Sequence, residues 1–297
     1  MPDKYVVVIG SGKSGSSAVF DYCAGRGDFE DSLNHNEFEL IHDPHGMTYL
    51  DNSLNSEYSV NGASYAIDNF ADFAKNFVSS IPNNKKSEYL KNINTFLSNI
   101  TLLSYKGMPR SEFARLGFFT KKKELILRKF NAKKGLKYSS GTMRMPVDAD
   151  IFYTEACKLI DSIFEPYSSE KKIIVDQGGS FWNPLSSTKY FGPRKLLIVV
   201  RDPRDIFSDF KVKGFAYPNI SPHGFSSWYR GIMEKVSKEE WSNSIVKIIK
   251  FEEFVLNHDK ITTELNNFLD ISDSIKSSYN EKISIKNIGI YKKVLSS

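Results

Sequence analysis

Cysteine is scarce in this chain of 297 residues, which carries only Cys23 and Cys157, and that excludes a disulfide-framed scaffold. Both lie in stretches of helical apolar spacing, where a small buried apolar residue is the simplest use of a thiol. No C-x-x-C or H-E-x-x-H occurs, and the five histidines show no metal-ligand spacing, so no metal is implied. No apolar run approaches the length of a membrane span. Strand-like residues begin within the first few positions, so no signal peptide or anchor is expected and the predicted location is cytoplasmic. Internal repeats, low-complexity tracts and Pro- or Gly-rich linkers are lacking, which argues for one domain. With 40% apolar and 25% charged residues the chain can bury a proper core. A net charge of +5 and a pI near 8.9 suit a polyanionic ligand but are too small a bias for nucleic acid.

What the sequence does have starts at its first apolar run. Tyr5-Val-Val-Val-Ile9 is short, β-branched and bounded by glycine, as a strand buried on both faces would be. It meets Gly10-Ser-Gly-Lys-Ser-Gly-Ser-Ser17, after which Ala18, Val19, Tyr22 and Cys23 take helical spacing. Strand, glycine turn and helix together aim free backbone N–H groups at one point, so an anion is expected there. Three motifs compete for the stretch. Gly10, Gly12 and Gly15 satisfy GxGxxG, although Asp43 stands farther than the about 20 residues at which the ribose-binding acid belongs. Gly10 to Ser17 nearly meets GxxxxGK[ST], with Ser16 where the lysine is required. Lys13-Ser14-Gly15-Ser16-Ser17 taken as one unit resembles the 5′-phosphosulfate loop of sulfotransferases, written P-K-S-G-T-T, with Ser for Thr twice and Gly12 for Pro.

Glu37-Phe-Glu-Leu-Ile-His-Asp43 alternates like a second strand ending at Pro44 and Gly46. From about Ala63 to Phe130 the apolar residues, among them Ala66, Phe70, Phe73, Ala74 and Phe77, predict helices without intervening strands. Lys121-Lys-Lys123 and Lys133-Lys134 read as solvated helix faces. A further helix is expected from Asp148 to Phe164. Alternation then returns: a strand at Lys172–Asp176, a loop from Gln177 to Pro193, a strand at Lys195–Val200 and a helix from Pro203 to Val212. An aromatic loop with Tyr217, Phe225, Trp228 and Tyr229 follows, then a strand at Ser244–Lys250 and a helix at His258–Leu269. The expected fold is α/β, a P-loop-like central parallel sheet with helices on both faces. The chain reads as a single domain over 1–297, with a helical insertion at about 60–165 on the acceptor side.

The strand ending at Val200 runs into Arg201-Asp-Pro-Arg-Asp205, with Ser208 on the helix that Pro203 opens. Ligands of open parallel sheets bind beyond the carboxyl ends of strands, which puts Arg201 on the same edge as Lys13. An isolated R-D-P-R-D is equally a surface salt-bridge cluster. Taken with the first loop, however, it resembles the sulfotransferase family, in which such an element binds the 3′-phosphate of 3′-phosphoadenosine 5′-phosphosulfate. Ile248-Ile-Lys-Phe-Glu-Glu-Phe254 and Asn267-Phe-Leu-Asp270 resemble the family's Y-E-D-[LM] strand and F-L-G helix end, and Lys286-Asn-Ile-Gly-Ile-Tyr-Lys292 resembles its G-x-W-K segment. Residues from about 60 to 165 match no part of the pattern.

The resemblance implies a transferase that needs no metal. Lys13 would contact the oxygen between phosphate and sulfuryl group, and Gly12, Ser14, Gly15, Ser16 and Ser17 would supply donors around it. Arg201 would bind the 3′-phosphate. Ser208 would assist from seven residues beyond the arginine where the family places its serine at eight, a helix rotation of about 100°. Phe251 would lie near the adenine, and Lys286, Asn287 and Gly289 would close over the nucleotide. The family keeps its general base on the second strand, as His or Glu, and Glu37-Phe-Glu-Leu-Ile41 matches the run of its glycan-modifying branches. Glu37 is therefore the expected base, with His42, Asp43 and His45 as competitors, and the acceptor is expected to be a carbohydrate hydroxyl on which Trp182, Trp228 or Tyr229 could stack. Two other readings stay open: a P-loop kinase of a small metabolite using ATP and Mg²⁺, and a Rossmann-type NAD-binding protein.

Overall fold

Five β-branched and aromatic residues in a row dictate the centre of the molecule. In the computed structural model, which describes residues 3–107, 117–133, 141–164, 171–213, 221–238 and 244–294, they form β1 (Tyr5–Gly10), a strand whose residues Tyr5 to Ile9 are all buried. On one side β1 pairs in parallel with β5 (Lys172–Asp176), and on the other with β6 (Arg194–Val200). The two-residue β2 (Phe29–Glu30) extends β5, and β7 (Val246–Lys250) extends β6, giving the all-parallel order β2-β5-β1-β6-β7. Strand order reverses about β1, where ligands of such sheets bind.

The contacts of the chain group into two units, Met1–Ile41 with Phe164–Ser297, and His42–Ile163. In the first, helices flank the sheet. Val6, Val8, Ile174, Leu197, Val199 and Ile249 pack against α1 (Ser16–Ala24) and two helices from the later chain described below. The other face is aromatic, with Tyr5 and Phe38 each edge-on to Phe164 at 6.1 and 4.8 Å. The expected α/β architecture, a central parallel sheet with flanking helices, is present.

The second unit holds α2 (Met47–Asp51), α3 (Val60–Asn76), α4 (Lys86–Asn99), β3 (Thr101–Gly107), α5 (Phe118–Lys133), β4 (Gly141–Pro146) and α6 (Ala149–Ile163). Ser59 starts α3 by accepting a hydrogen bond from the Gly62 N–H at 3.0 Å, a side-chain cap. Phe70, Phe96 and Phe152 join α3, α4 and α6 through edge-on ring contacts. One expectation fails here: a strand interrupts the run of helices. β3 pairs antiparallel with β4, a partner so far along the chain that no local period in Thr101–Gly107 announces it. On α5, Lys122 and Lys123 are exposed as expected; so are Phe118, Phe119, Ile126 and Phe130.

Two further expectations are corrected. Glu37–Asp43 is not a strand. The Asp31 carboxylate accepts from the Leu33 and His35 N–H groups, Asn34 and His35 take left-handed backbone (φ 52° and 63°), and the segment runs as loop and turns. Its alternation is satisfied by burying Phe38 and Leu40 while making one bond to the sheet, Phe38 N–H to the Asp176 carbonyl at 2.9 Å. The strand that precedes it, β2, neighbours β5 and not β1. The expected aromatic loop is also largely a helix. After α7 (Pro184–Ser187) and α8 (Pro203–Lys213), α9 (Pro222–Lys238) carries Phe225 into a cluster with Ile206, Phe207 and Phe210, and Trp228 and Tyr229 pack against it. Tyr217 lies outside the described residues. The remaining helices are α10 (Phe251–Leu256), α11 (His258–Leu269), α12 (Lys282–Ile285) and α13 (Tyr291–Val294). Of these, α10 and α11 are the two that cover the sheet beside α1.

Candidate functional site

The turn after β1 is built to expose its backbone. Lys13 and Gly15 take left-handed conformations (φ 63° and 86°) on either side of Ser14, whose N–H closes the turn on the Ser11 carbonyl at 2.9 Å. Alternation of this kind makes a concave nest of N–H groups for an anion. No side chain caps α1, which leaves its first N–H groups facing the nest. Glycine is required at two positions. A Cβ on Gly15 would lie 2.3 Å from the Phe251 ring, and one on Gly10 would lie 2.0 Å from Ser14 Oγ. Ser14 is fully buried, and its hydroxyl has no hydrogen-bond partner in the protein. Buried hydroxyls are nearly always paired, so this one fits a ligand oxygen. Gln177, itself left-handed at φ 50°, braces the turn by accepting from Gly10 N–H at 3.3 Å and donating to Ser16 Oγ at 2.9 Å.

Arg201 directly follows β6 beside this turn and is buried. Its Nη1 donates to the Lys13 carbonyl at 2.9 Å and to Asp209 at 2.6 Å, its Nη2 donates to the Asn287 carbonyl, and its Nε has no partner. The R-D-P-R-D element thus divides by depth. Arg204 pairs with Asp202 at the surface, while Arg201 and Asp205 are buried and reach other segments. Asp205 accepts from Gly289 N–H at 2.7 Å and Tyr291 N–H at 3.0 Å, so the C-terminal segment is tied to α8. Gly289 is left-handed there (φ 72°), Asn287 contributes its carbonyl, and Lys286 is exposed. Ser208 is buried with its hydroxyl on the Arg204 carbonyl at 2.8 Å. Phe251 is buried beneath Gly15, 5.3 Å from the Arg201 guanidinium, so its ring supports the turn. Lys13, Gly12, Ser14 to Ser17, Arg201, Asn287 and Gly289 are therefore brought together around one sheet edge. Glu37 is exposed in the turns above β5. His42, with Asp43 at 3.6 Å, and His45 belong to the second unit.

Sequence reasoning missed Asp176. It ends β5 opposite Val8 of β1, is buried, and has one carboxylate oxygen without a partner. Burial, and after it the charges of Glu37 and Asp21, push its carboxyl up to about 7. The only sequence signal is an acid closing an apolar strand. The folded state holds this proton more tightly than the unfolded chain does, so the stabilisation is complete below about pH 4 and is lost as pH rises through about 7. Asp176→Asn should therefore match the parent in urea melts near pH 4 and exceed it near pH 8. A stability difference that does not change with pH would refute this.

Among the described residues no group of three or more His, Cys, Asp or Glu could hold a metal ion, and no helix is long and apolar enough to cross a membrane. Cys23 is buried, which pushes its thiol up and leaves it inert. No family model matches the chain, and no curated protein matches it in sequence. Among solved structures the chain is similar to a sulfotransferase domain from the curacin biosynthetic pathway, with 12% identity over 92% of this chain and 75% of that one and a TM-score of 0.44. It is also similar to a sulfotransferase domain from the Synechococcus PCC 7002 olefin synthase, with 12% identity over 91% and 74% and a TM-score of 0.45. A third is the sulfotransferase STF9 from Mycobacterium avium, with 8% identity over 100% and 68% and a TM-score of 0.41. Likeness at this level leaves the function to be argued from the residues of the site.

Proposed function

We propose that the chain transfers a sulfuryl group from 3′-phosphoadenosine 5′-phosphosulfate to a hydroxyl. The observation that carries this reading is the joining of two elements whose chemistry suits anions: the nest at Lys13 to Ser17, with the unpartnered Ser14 hydroxyl, and Arg201, which bonds the Lys13 carbonyl from the end of the next strand. One such element serves any phosphate; two at adjacent strand ends suit a nucleotide with phosphates at both ends of its ribose. When bound, the donor supplies an activated sulfuryl group, and the protein's part is positioning and charge stabilisation, as in phosphoryl transfer. Lys13 would hold the charge that develops on the leaving oxygen, the nest N–H groups and Ser14 would bind the 5′-phosphate, and Arg201 with the segment at Asn287 and Gly289 would bind the 3′-phosphate.

A carbohydrate is proposed as acceptor on the aromatic residues of the first unit, and not on the Glu37 run, which is not a strand. Trp182, half-buried in the 177–193 loop, is proposed as a ring on which a sugar could stack, whereas Trp228 and Tyr229 pack against the α9 cluster. The ATP reading gains one observation, because Asp176 ends an apolar strand beside β1, where nucleoside triphosphatases keep an acid for Mg²⁺. Serine at position 16 still denies that reading its lysine. Thermal melts separate the readings. A ligand at ~100 times its dissociation constant adds about 2.7 kcal/mol, worth several degrees in a chain of this size. Adenosine 3′,5′-bisphosphate is expected to raise Tm without metal; protection by ATP with Mg²⁺ or by NAD, and not by the bisphosphate, would overturn the proposal.

A further inference from the structure

We infer that Asp176, and not Glu37, takes the proton from the acceptor hydroxyl, with Glu37 tuning it from the surface; the inference rests on the sulfuryl-transfer reading. Three observations place Asp176 in that role. It stands at the carboxyl end of β5 in register with Val8, two residues before the turn begins, and the next residue, Gln177, bonds both Gly10 and Ser16 of that turn. One of its carboxylate oxygens is buried without a partner, an arrangement that is uncommon in folded proteins and that suits a hydrogen supplied by a bound molecule. The charges that act on it are carboxylates: Glu37 and Asp31 from the turns after β2, and Asp21 from α1. A carboxylate facing such neighbours gives up its proton only near neutral pH, so its proton affinity lies close to the working pH, where a general base is most effective. His35 lies beyond this shell, 3.6 Å from Asp21 and 3.8 Å from Asp31, and is the other titratable group to control.

The step balances without a further reactant. The acceptor O–H bond breaks and its proton passes to the Asp176 carboxylate, while the electron pair left on that oxygen forms the new bond to sulfur. The bond from sulfur to the bridging oxygen breaks, and its pair stays on the 5′-phosphate of the bisphosphate, beside Lys13. Asp176 then returns the proton to solvent.

The test follows release of adenosine 3′,5′-bisphosphate from the donor with water as the acceptor, over about pH 5 to 9, beside melts with the bisphosphate. Asp176→Asn should lower the rate by roughly 10² to 10⁴, keep the bisphosphate melt shift, and abolish the acid limb that the parent shows near pH 7. Glu37→Gln should keep turnover on the alkaline plateau and move the limb to lower pH, because one raising charge is gone, and His35→Gln should leave the limb in place. An Asp176→Asn enzyme with the parent's limb, or a Glu37→Gln enzyme without turnover, overturns the assignment while the melt shift still supports sulfuryl transfer. Loss of an ATP–Mg²⁺ melt shift in Asp176→Asn, with no shift from the bisphosphate in either protein, overturns the underlying reading and the assignment with it.

Discussion

Lys13→Ala is expected to reduce sulfuryl transfer by roughly 10² to 10³ while changing the affinity for adenosine 3′,5′-bisphosphate far less. The size is what removal of one preorganised charge-stabilising donor costs in other enzymes, about 2.7 to 4 kcal/mol. The selectivity has a structural reason. What the turn offers a bound phosphate comes from backbone N–H groups and the Ser14 hydroxyl, and its geometry is fixed by the Ser14–Ser11 bond, by Gly15 over Phe251, and by Arg201 on the carbonyl of residue 13. None of these uses the lysine side chain. Alanine keeps the carbonyl and bears the same left-handed backbone, so the cradle survives and the charge beside the leaving oxygen does not. Single-turnover rates set against bisphosphate dissociation constants decide the matter. Equal losses in both would make Lys13 a binding residue.

Arg201→Ala should have a double effect. The guanidinium holds the turn, α8 through Asp209, and the C-terminal segment through Asn287, and its side chain is only 3% exposed. Removing one partner of a buried charged pair typically costs about 3 to 5 kcal/mol, because the other is left without compensation. A fall in Tm of roughly 10 °C follows for a chain of this length. The second effect is on recognition. With the free Nε hydrogen and the position of Asn287 both lost, the bisphosphate should bind several kcal/mol more weakly, whereas 5′-AMP should lose little. Titrations with both nucleotides, at a temperature where the variant is folded, separate the roles. Parallel losses would leave Arg201 as a clamp alone, and an unchanged Tm would show that the three-way contact does not support the fold.

Much of the first unit was legible in residues 5–24 and 172–269, for a local reason. Strands buried on both faces are continuous apolar runs, so Lys172–Asp176 and the start of β1 stand out unaided. His258–Leu269 carries a helical stripe whose buried members, Thr262, Leu265, Asn266 and Leu269, share one face. Arg201 and Lys13 could be placed on one edge because parallel topology puts every strand's carboxyl end there. Glu37–Asp43 misled because alternation records which side chains are buried, not what their backbone bonds to. Phe38 and Leu40 are buried, but the ladder beside β5 is filled by Phe29 and Glu30. Thr101–Gly107 misled for the complementary reason, since its partner strand is supplied by distant residues.

The sequence by itself determined the central strands of the parallel sheet, the glycine turn after β1, and the basic residue after β6 that joins it, because each is written in residues close along the chain. Only the tertiary structure decided what each charged group does. Arg201 and Arg204 stand three positions apart in one motif, yet one is a buried clamp and the other a surface partner of Asp202. Asp176 is an unremarked acid at the end of a strand until folding removes its water and brings Asp21, Asp31 and Glu37 to bear on it. Desolvation and through-space charge depend on which residues meet in three dimensions, and residues 21, 37 and 176 meet only after β5 has inserted between β1 and β2.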